Sequence, residues 1–200
     1  MNKKPSKLIT IEGLDACGKT TLAERLSKKF GLPARHEPNF PSELADEFNS
    51  KGSSMHPWQR EFHFIYDRIK DQDTLESMSC FLDSYILRSW TYALAYSGKS
   101  VFDATVEIQC MDYFKKPDLT IVLLTDYKSF AEIENKRFEE NASHIVKSEH
   151  EFIKLNNSLA AAVQVYQKRI DTPIVIMNTG IGKFDKVYDR CEMLVSGFIG

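Results

Sequence analysis

The stretch that most constrains this chain is ITIEGLDACGKTTLAERL, residues 9 to 26, where an alternating apolar run breaks into glycines and resumes at helical spacing. Gly13-Leu14-Asp15-Ala16-Cys17-Gly18-Lys19-Thr20 fits G-x-x-x-x-G-K-[ST] at every fixed position. Glycine is required where the loop takes positive φ and the backbone must approach oxygen closely, so that successive N–H groups point at a bound anion. The helix expected to open near Lys19 adds the partial positive charge of its N-terminus. Lys19 would bridge the β- and γ-phosphates of ATP and Thr20 would offer its hydroxyl to Mg²⁺, with Thr21 completing an ATP-binding set that runs from Gly13 through Thr21. Cys17 reads as a spectator, the alternative being a reactive thiol whose pKa the adjoining helix N-terminus lowers.

The surroundings of this cradle predict an α/β fold. Short apolar runs, KLITI, PARHE, SCFLD, LTIVLLT and PIVIM, alternate with longer segments of helical period. That is the pattern of parallel strands joined by crossover helices, a three-layer P-loop NTPase-type sandwich with a five-stranded parallel sheet flanked by helices. PARHE is weak and reads as an edge strand; the other four are apolar enough for a sheet covered on both faces. Leu22, Leu26 and Phe30 recur at i, i+4 and i+8 before Gly31 and Pro33 stop the segment, and they read as core. With 42% apolar residues and no shift in composition, residues 1–200 are expected to form a single domain. Approximately residues 128–151 are long, polar and interrupted, which reads either as a solvated helix pair or as a small helical lid.

Charge and cysteine usage exclude other classes. A formal net charge of -2 gives no whole-chain pull toward nucleic acid or anionic membrane. Cys17, Cys80, Cys110 and Cys191 are scattered without metal-site spacing, which predicts a reduced intracellular protein, and no apolar run approaches the ~18 residues of a membrane span. Phosphate binding alone does not separate a kinase from a GTPase switch. The chain has no N-K-x-D stretch of the kind that reads guanine, so the cradle is expected to serve phosphoryl transfer to a small molecule.

FHFIYDR, Phe62 to Arg68, together with EGLDACGKTT, resembles the thymidylate kinase family, whose Phe-x-x-Asp/Asn-Arg segment matches Phe64 through Arg68. HEP at 36 to 38, DSYILRSWTY at 83 to 92 and KPDLTIVLL at 116 to 124 extend the likeness loosely over most of the chain. The resemblance implies that Phe64 stacks on the acceptor pyrimidine and that Arg68 reaches the base; four residues apart, both fall on one helical face. It implies further that Tyr92 crowds the 2′ position of a deoxyribose, that Asp15 lies close to the acceptor sugar and phosphate, and that Asp83 serves Mg²⁺ or orients the acceptor.

Two departures matter. Ser84 stands where the family carries an arginine that grips the acceptor phosphate, so Arg88, one turn along, is the first candidate to replace it and Arg35 the second. Ala16 stands where one branch of the family has a loop arginine, which leaves the charged segment ENKRFEE to supply Lys136 or Arg137 from the lid, with Lys147 a weaker candidate. The catalytic set is therefore Lys19, Asp15 and Arg137. The implied reaction is transfer of the γ-phosphoryl group of ATP to the 5′-phosphate of dTMP, by a cytoplasmic homodimer whose partners are small nucleotides. Alternatives stay open at this stage: a kinase for dUMP or a 5-modified dUMP, a deoxynucleoside kinase using Asp83 or Glu12 as base, and a nucleotide-binding protein without turnover. NTG, Asn178 to Gly180, is a positional guess for donor-base contacts.

Overall fold

A computed structural model describes residues 5–37, 55–140, 148–180 and 182–199, without the side chains of 57 and 134–140. Five parallel strands form one sheet in the order β2-β3-β1-β4-β5: β1 (Leu8–Gly13), β2 (Ala34–His36), β3 (Cys80–Asp83), β4 (Leu119–Leu124) and β5 (Ile174–Asn178). Among the described residues seven helices connect and cover it: α1 (Lys19–Phe30), α2 (Pro57–Ser77), α3 (Ile86–Tyr92), α4 (Lys99–Gln109), α5 (Tyr127–Glu140), α6 (Glu149–Arg169) and α7 (Phe184–Ile199). The five expected runs all form strands, and PARHE does lie at a sheet edge.

Alternation along β1 sets the layers. Leu8 packs with Leu82, Trp90, Leu155 and Tyr166 on one face, while Ile9 and Ile11 pack with Leu22, Leu26, Phe81, Ile121 and Val195 on the other. Leu22 and Leu26 are therefore core, as their spacing requires, and Gly31 ends α1 in the left-handed conformation with its N–H donating to the Ser27 carbonyl. Trp90 is fully buried and meets Phe102 and Tyr166 edge-on at 6.4 and 5.9 Å, fixing α3 against α4 and α6. Each such aromatic pair contributes about 1 kcal/mol beyond the area it buries.

One expectation fails. β5 is not covered on both faces: as the other edge strand it leaves Ile176 half exposed, with only β4 beside it. α3 also runs on into a single π-helical turn, Ala93–Ser97, ended by Gly98 at φ 83°, a widening of the kind that concentrates at functional sites.

β1 lies between β3 and β4, so the strand order reverses at its carboxyl end. The crevice there is where open α/β sheets bind ligands. The glycine-rich loop leaves β1 at that point, and Asp83 ends β3 beside it.

Candidate active site

The cradle forms as the sequence demands. Gly13 has φ 144°, and a Cβ there would run into the Leu123 carbonyl and come within 2.8 Å of the Cys17 sulfur. Gly18, at φ 91°, opens α1 without a side-chain cap, leaving the helix's first N–H groups for an anion. A Cβ at Gly18 would lie 2.7 Å from the Phe184 ring, so α7 supports the loop from below. Lys19 is buried and its Nζ donates to the Leu14 carbonyl at 2.7 Å, which folds the lysine across the loop. Burial pushes the Cys17 thiol up rather than down, in keeping with a spectator. Thr179, in NTG, pins the far strand to the cradle by donating its hydroxyl to the Cys17 carbonyl at 2.9 Å.

Thr20 and Asp83 come together. The Thr20 hydroxyl donates to Asp83 Oδ2 at 2.5 Å, and His36 Nδ1 lies 3.0 Å from the same oxygen. Burial alone would raise the Asp83 pKa, but the hydrogen bonds from His36 and Thr20 and the charge of Lys19 outweigh it and hold the carboxylate below its ordinary range. An ionised oxygen beside a hydroxyl at the mouth of a phosphate loop is the hard donor set that Mg²⁺ takes when water and phosphate complete its shell. His36 as a neighbour of Asp83 had no signal in the sequence, because β2 is too short and polar to fix its register.

A second pocket opens beside the cradle, lined by Phe64 and Arg68 of α2, Ser84 after β3, Arg88, Ser89 and Tyr92 of α3, and Glu37 after β2. Four of the five predicted acceptor residues, Phe64, Arg68, Arg88 and Tyr92, meet there; the fifth, Asp15, does not line the pocket but contacts Tyr92 and Arg88. Arg68 is buried; its Nε donates to Glu37 Oε2 at 3.0 Å and its Nη2 to the Tyr85 carbonyl at 2.5 Å. Its Nη1 is buried without a hydrogen-bond partner among the described residues. An orphaned buried donor costs roughly 1–3 kcal/mol unless a ligand oxygen meets it.

Asp15 joins the two halves. Its Oδ2 accepts from the Tyr92 hydroxyl at 3.0 Å, and its Oδ1 lies 3.6 Å from Arg88 Nη2 and 3.9 Å from Lys19 Nζ. Arg88 also sits over the Tyr92 ring, 5.8 Å from its centroid, so its guanidinium is held at the mouth of the pocket. Arg35 does not compete for the same task, being ion-paired with Asp71 on α2 at 2.5 Å. Ser84 takes the left-handed conformation, φ 68°, and turns its hydroxyl back onto Asp83 Oδ1 at 3.2 Å.

Glu12 is spent structurally. Its buried carboxylate accepts from the backbone N–H groups of Tyr85, Leu87 and Arg88 at 3.0 to 3.2 Å, which ties β1 to the start of α3. Burial raises its pKa while those three hydrogen bonds oppose the rise. This overturns the reading of Glu12 as a base near an acceptor sugar. The side chains of Lys136 and Arg137, and Lys147 altogether, lie outside the described residues. Residues 128–140 of the expected lid belong to α5, and α6 begins at Glu149 with Ser148 as its cap.

No family model matches the chain. Among curated proteins it is similar to "Probable thymidylate kinase 1" of Saccharolobus solfataricus, 28% identical over 196 aligned positions that cover 82% of this chain and 98% of that one. It is also similar to "Probable thymidylate kinase" of Methanococcus maripaludis, at 25% identity with 84% and 96% covered. Among solved structures, thymidylate kinase from Candida albicans superposes with TM-score 0.68 at 23% identity, covering 96% of this chain and 92% of that one. Deoxyadenosine kinase from M. mycoides superposes with TM-score 0.69 at 16% identity, covering 96% and 100%, a likeness of fold alone. The curated relatives share nearly their whole length with this chain, and the phosphate cradle and the Phe64/Arg68 pocket occupy one crevice, so the chain is similar to thymidylate kinases both along its length and in the layout of its site.

Proposed function

We propose that the protein is a thymidylate kinase, transferring the γ-phosphoryl group of ATP to the 5′-phosphate of dTMP to give dTDP and ADP. The observation that carries this reading is Asp15: one side chain in the phosphate loop reaches both Lys19 of the cradle and the Tyr92/Arg88 wall of the pocket, so a donor in one half faces an acceptor in the other.

Each group has a task that its position allows. The loop N–H groups and Lys19 hold the donor phosphates and take up negative charge as it shifts, the main source of rate in phosphoryl transfer. Thr20 and Asp83 would hold Mg²⁺, which when bound neutralises phosphate charge and orients the β- and γ-oxygens. Phe64 offers a ring face to the base and Arg68 Nη1 a donor to its carbonyl. Arg88 takes the acceptor phosphate in place of the arginine that Ser84 lacks, and Tyr92 fills the space a 2′-hydroxyl would need. The acceptor oxygen is already ionised, so no general base is required. The family resemblance assigns the transferring group to Arg137, in a lid of approximately residues 128–151 of one domain spanning 1–200; its side chain lies outside the described residues.

The enzyme works as a cytoplasmic homodimer. Supporting this, Phe62, Tyr66 and Ile69 expose one stripe of α2 to solvent, and Met111 and Tyr113 extend it, with the Tyr113 hydroxyl donating to the Ile69 carbonyl at 3.3 Å. Such a contiguous apolar face marks an interface. Among the described residues no helix is long and apolar enough to cross a membrane.

The test is ADP release with ATP, Mg²⁺ and a panel of dTMP, dUMP, 5-hydroxymethyl-dUMP, dCMP, UMP and thymidine. Turnover of dTMP with little of UMP or thymidine is expected; turnover of thymidine in preference to dTMP would instead mean a nucleoside kinase.

A further inference from the structure

Beneath the acceptor pocket lies a buried polar chain that the reaction does not call on. Ser89 lines the pocket from α3, and its hydroxyl donates to Glu61 Oε2 of α2 at 2.9 Å; Gln109 Nε2 of α4 donates to the Ser89 oxygen at 3.5 Å. Glu61 is fully buried, and its other oxygen, Oε1, lies 3.8 Å from Arg60 Nε.

A serine hydroxyl has one proton and two lone pairs. Here the proton is taken by Glu61 and one lone pair by Gln109, so one lone pair is left for the pocket. Were the Gln109 amide turned over, its oxygen would compete for the same proton and the remaining valence would still be an acceptor. In the same pocket, Arg68 Nη1 is the unpartnered donor. A pyrimidine with a 4-carbonyl beside a ring N3–H presents the complement of that pair, whereas a 4-amino pyrimidine with a bare N3 presents its opposite.

We propose that Glu61 is a specificity-determining positioning residue: by binding the Ser89 proton it fixes Ser89 as an acceptor, so that the pocket selects the N3–H edge of thymine and rejects the edge of cytosine. This rests on the reading of the site as a pyrimidine nucleotide acceptor pocket. The assigned polarity requires the ionised carboxylate: burial raises the Glu61 pKa from its ordinary value, and the Ser89 hydrogen bond and the charges of Arg60 and Arg68 oppose that rise.

Glu61→Gln is the informative change because Arg60 decides how the new amide lies. The amide oxygen will face Arg60 Nε and its NH₂ will face Ser89, which then accepts from residue 61 and turns its own proton into the pocket. kcat/KM is measured for dTMP and for 5-methyl-dCMP, which keep the same methyl group and differ at the hydrogen-bonding edge. The wild type prefers dTMP, and in Glu61→Gln the dTMP to 5-methyl-dCMP ratio falls by about tenfold or more, the scale of one mismatched buried hydrogen bond. In a Ser89→Ala background the same change leaves the ratio unmoved. Equal losses for both nucleotides, or a shift that persists without Ser89, would overturn the proposal.

Ser89→Ala alone gives a second test that keeps Glu61 intact: dTMP loses and 5-methyl-dCMP does not, and a matched loss would contradict the assigned polarity. Wild-type silence with both nucleotides would refute the proposed function itself. The same ratio is then read from their binding affinities to wild type and Glu61→Gln, where an unchanged ratio overturns the role of Glu61.

Discussion

The two halves of the crevice are built on different principles. The donor half is a backbone site: eight contiguous residues, fixed by positive φ at Gly13 and Gly18 and by the helix that follows, with one lysine folded across. The acceptor half is a side-chain site, assembled from α2, α3 and the ends of β2 and β3, and held by buried hydrogen-bonded pairs such as Arg68 with Glu37. A backbone site depends on local geometry more than on its side chains, Asp15 being the loop position whose side chain is put to use. A side-chain site depends on each partner, so removing one leaves another buried and unpaired.

The largest effect should therefore come where the reacting charge is met. Lys19→Ala lowers kcat on the order of 10³-fold with little change in thermal midpoint, since Lys19 pairs only with the loop itself. Steady-state kinetics beside a melting curve checks both halves of that statement. Next, Arg68→Ala lowers kcat/KM for dTMP by about a hundredfold, because it removes the base contact and strips Glu37 of its partner. An unchanged kcat/KM would remove Arg68 from the acceptor site. Arg88→Ala is narrower: KM for dTMP rises about tenfold while thymidine affinity hardly moves, as expected for a phosphate grip at the pocket mouth.

The smallest effect is on stability and separates the halves by pH. Burial pushes the Glu37 pKa up to about 8 against the opposing pull of Arg68. The folded protein thus keeps that proton across a window in which the unfolded chain, with its ordinary value of 4.5, has released it. Folded molecules bind more protons there, so stability falls as pH rises from about 5 through 8. Glu37→Gln should flatten that slope in denaturant titrations, whereas Ala16→Ser in the cradle should leave it as it is.

The same contrast explains what could be read from the sequence. The cradle was legible because its constraints are contiguous, and β1, β3 and β4 were legible because buried parallel strands are nearly continuous in apolar residues. Phe64 and Arg68 surfaced through a resemblance, since an aromatic and an arginine four apart are ordinary on any helix. Glu37, Glu61 and Ser89 carry no local signal: their pairing depends on how α2, α3 and β2 converge, which periodicity does not encode. Glu12 misled for a related reason, because a carboxylate next to the cradle looks available until three backbone N–H groups at the start of α3, distant in sequence, claim it. β5 misled because apolar content does not say whether each face of a strand is covered, and Ile176 is left half exposed.

The central claim is that the two halves work on each other's ligands through the residues Asp15 brings together. The most direct measurement follows the label from γ-³²P ATP in the presence of dTMP and Mg²⁺, separating the products by chromatography. The account predicts label in dTDP, formed in step with ADP; label released only as inorganic phosphate, or label transferred to thymidine in preference to dTMP, would contradict it.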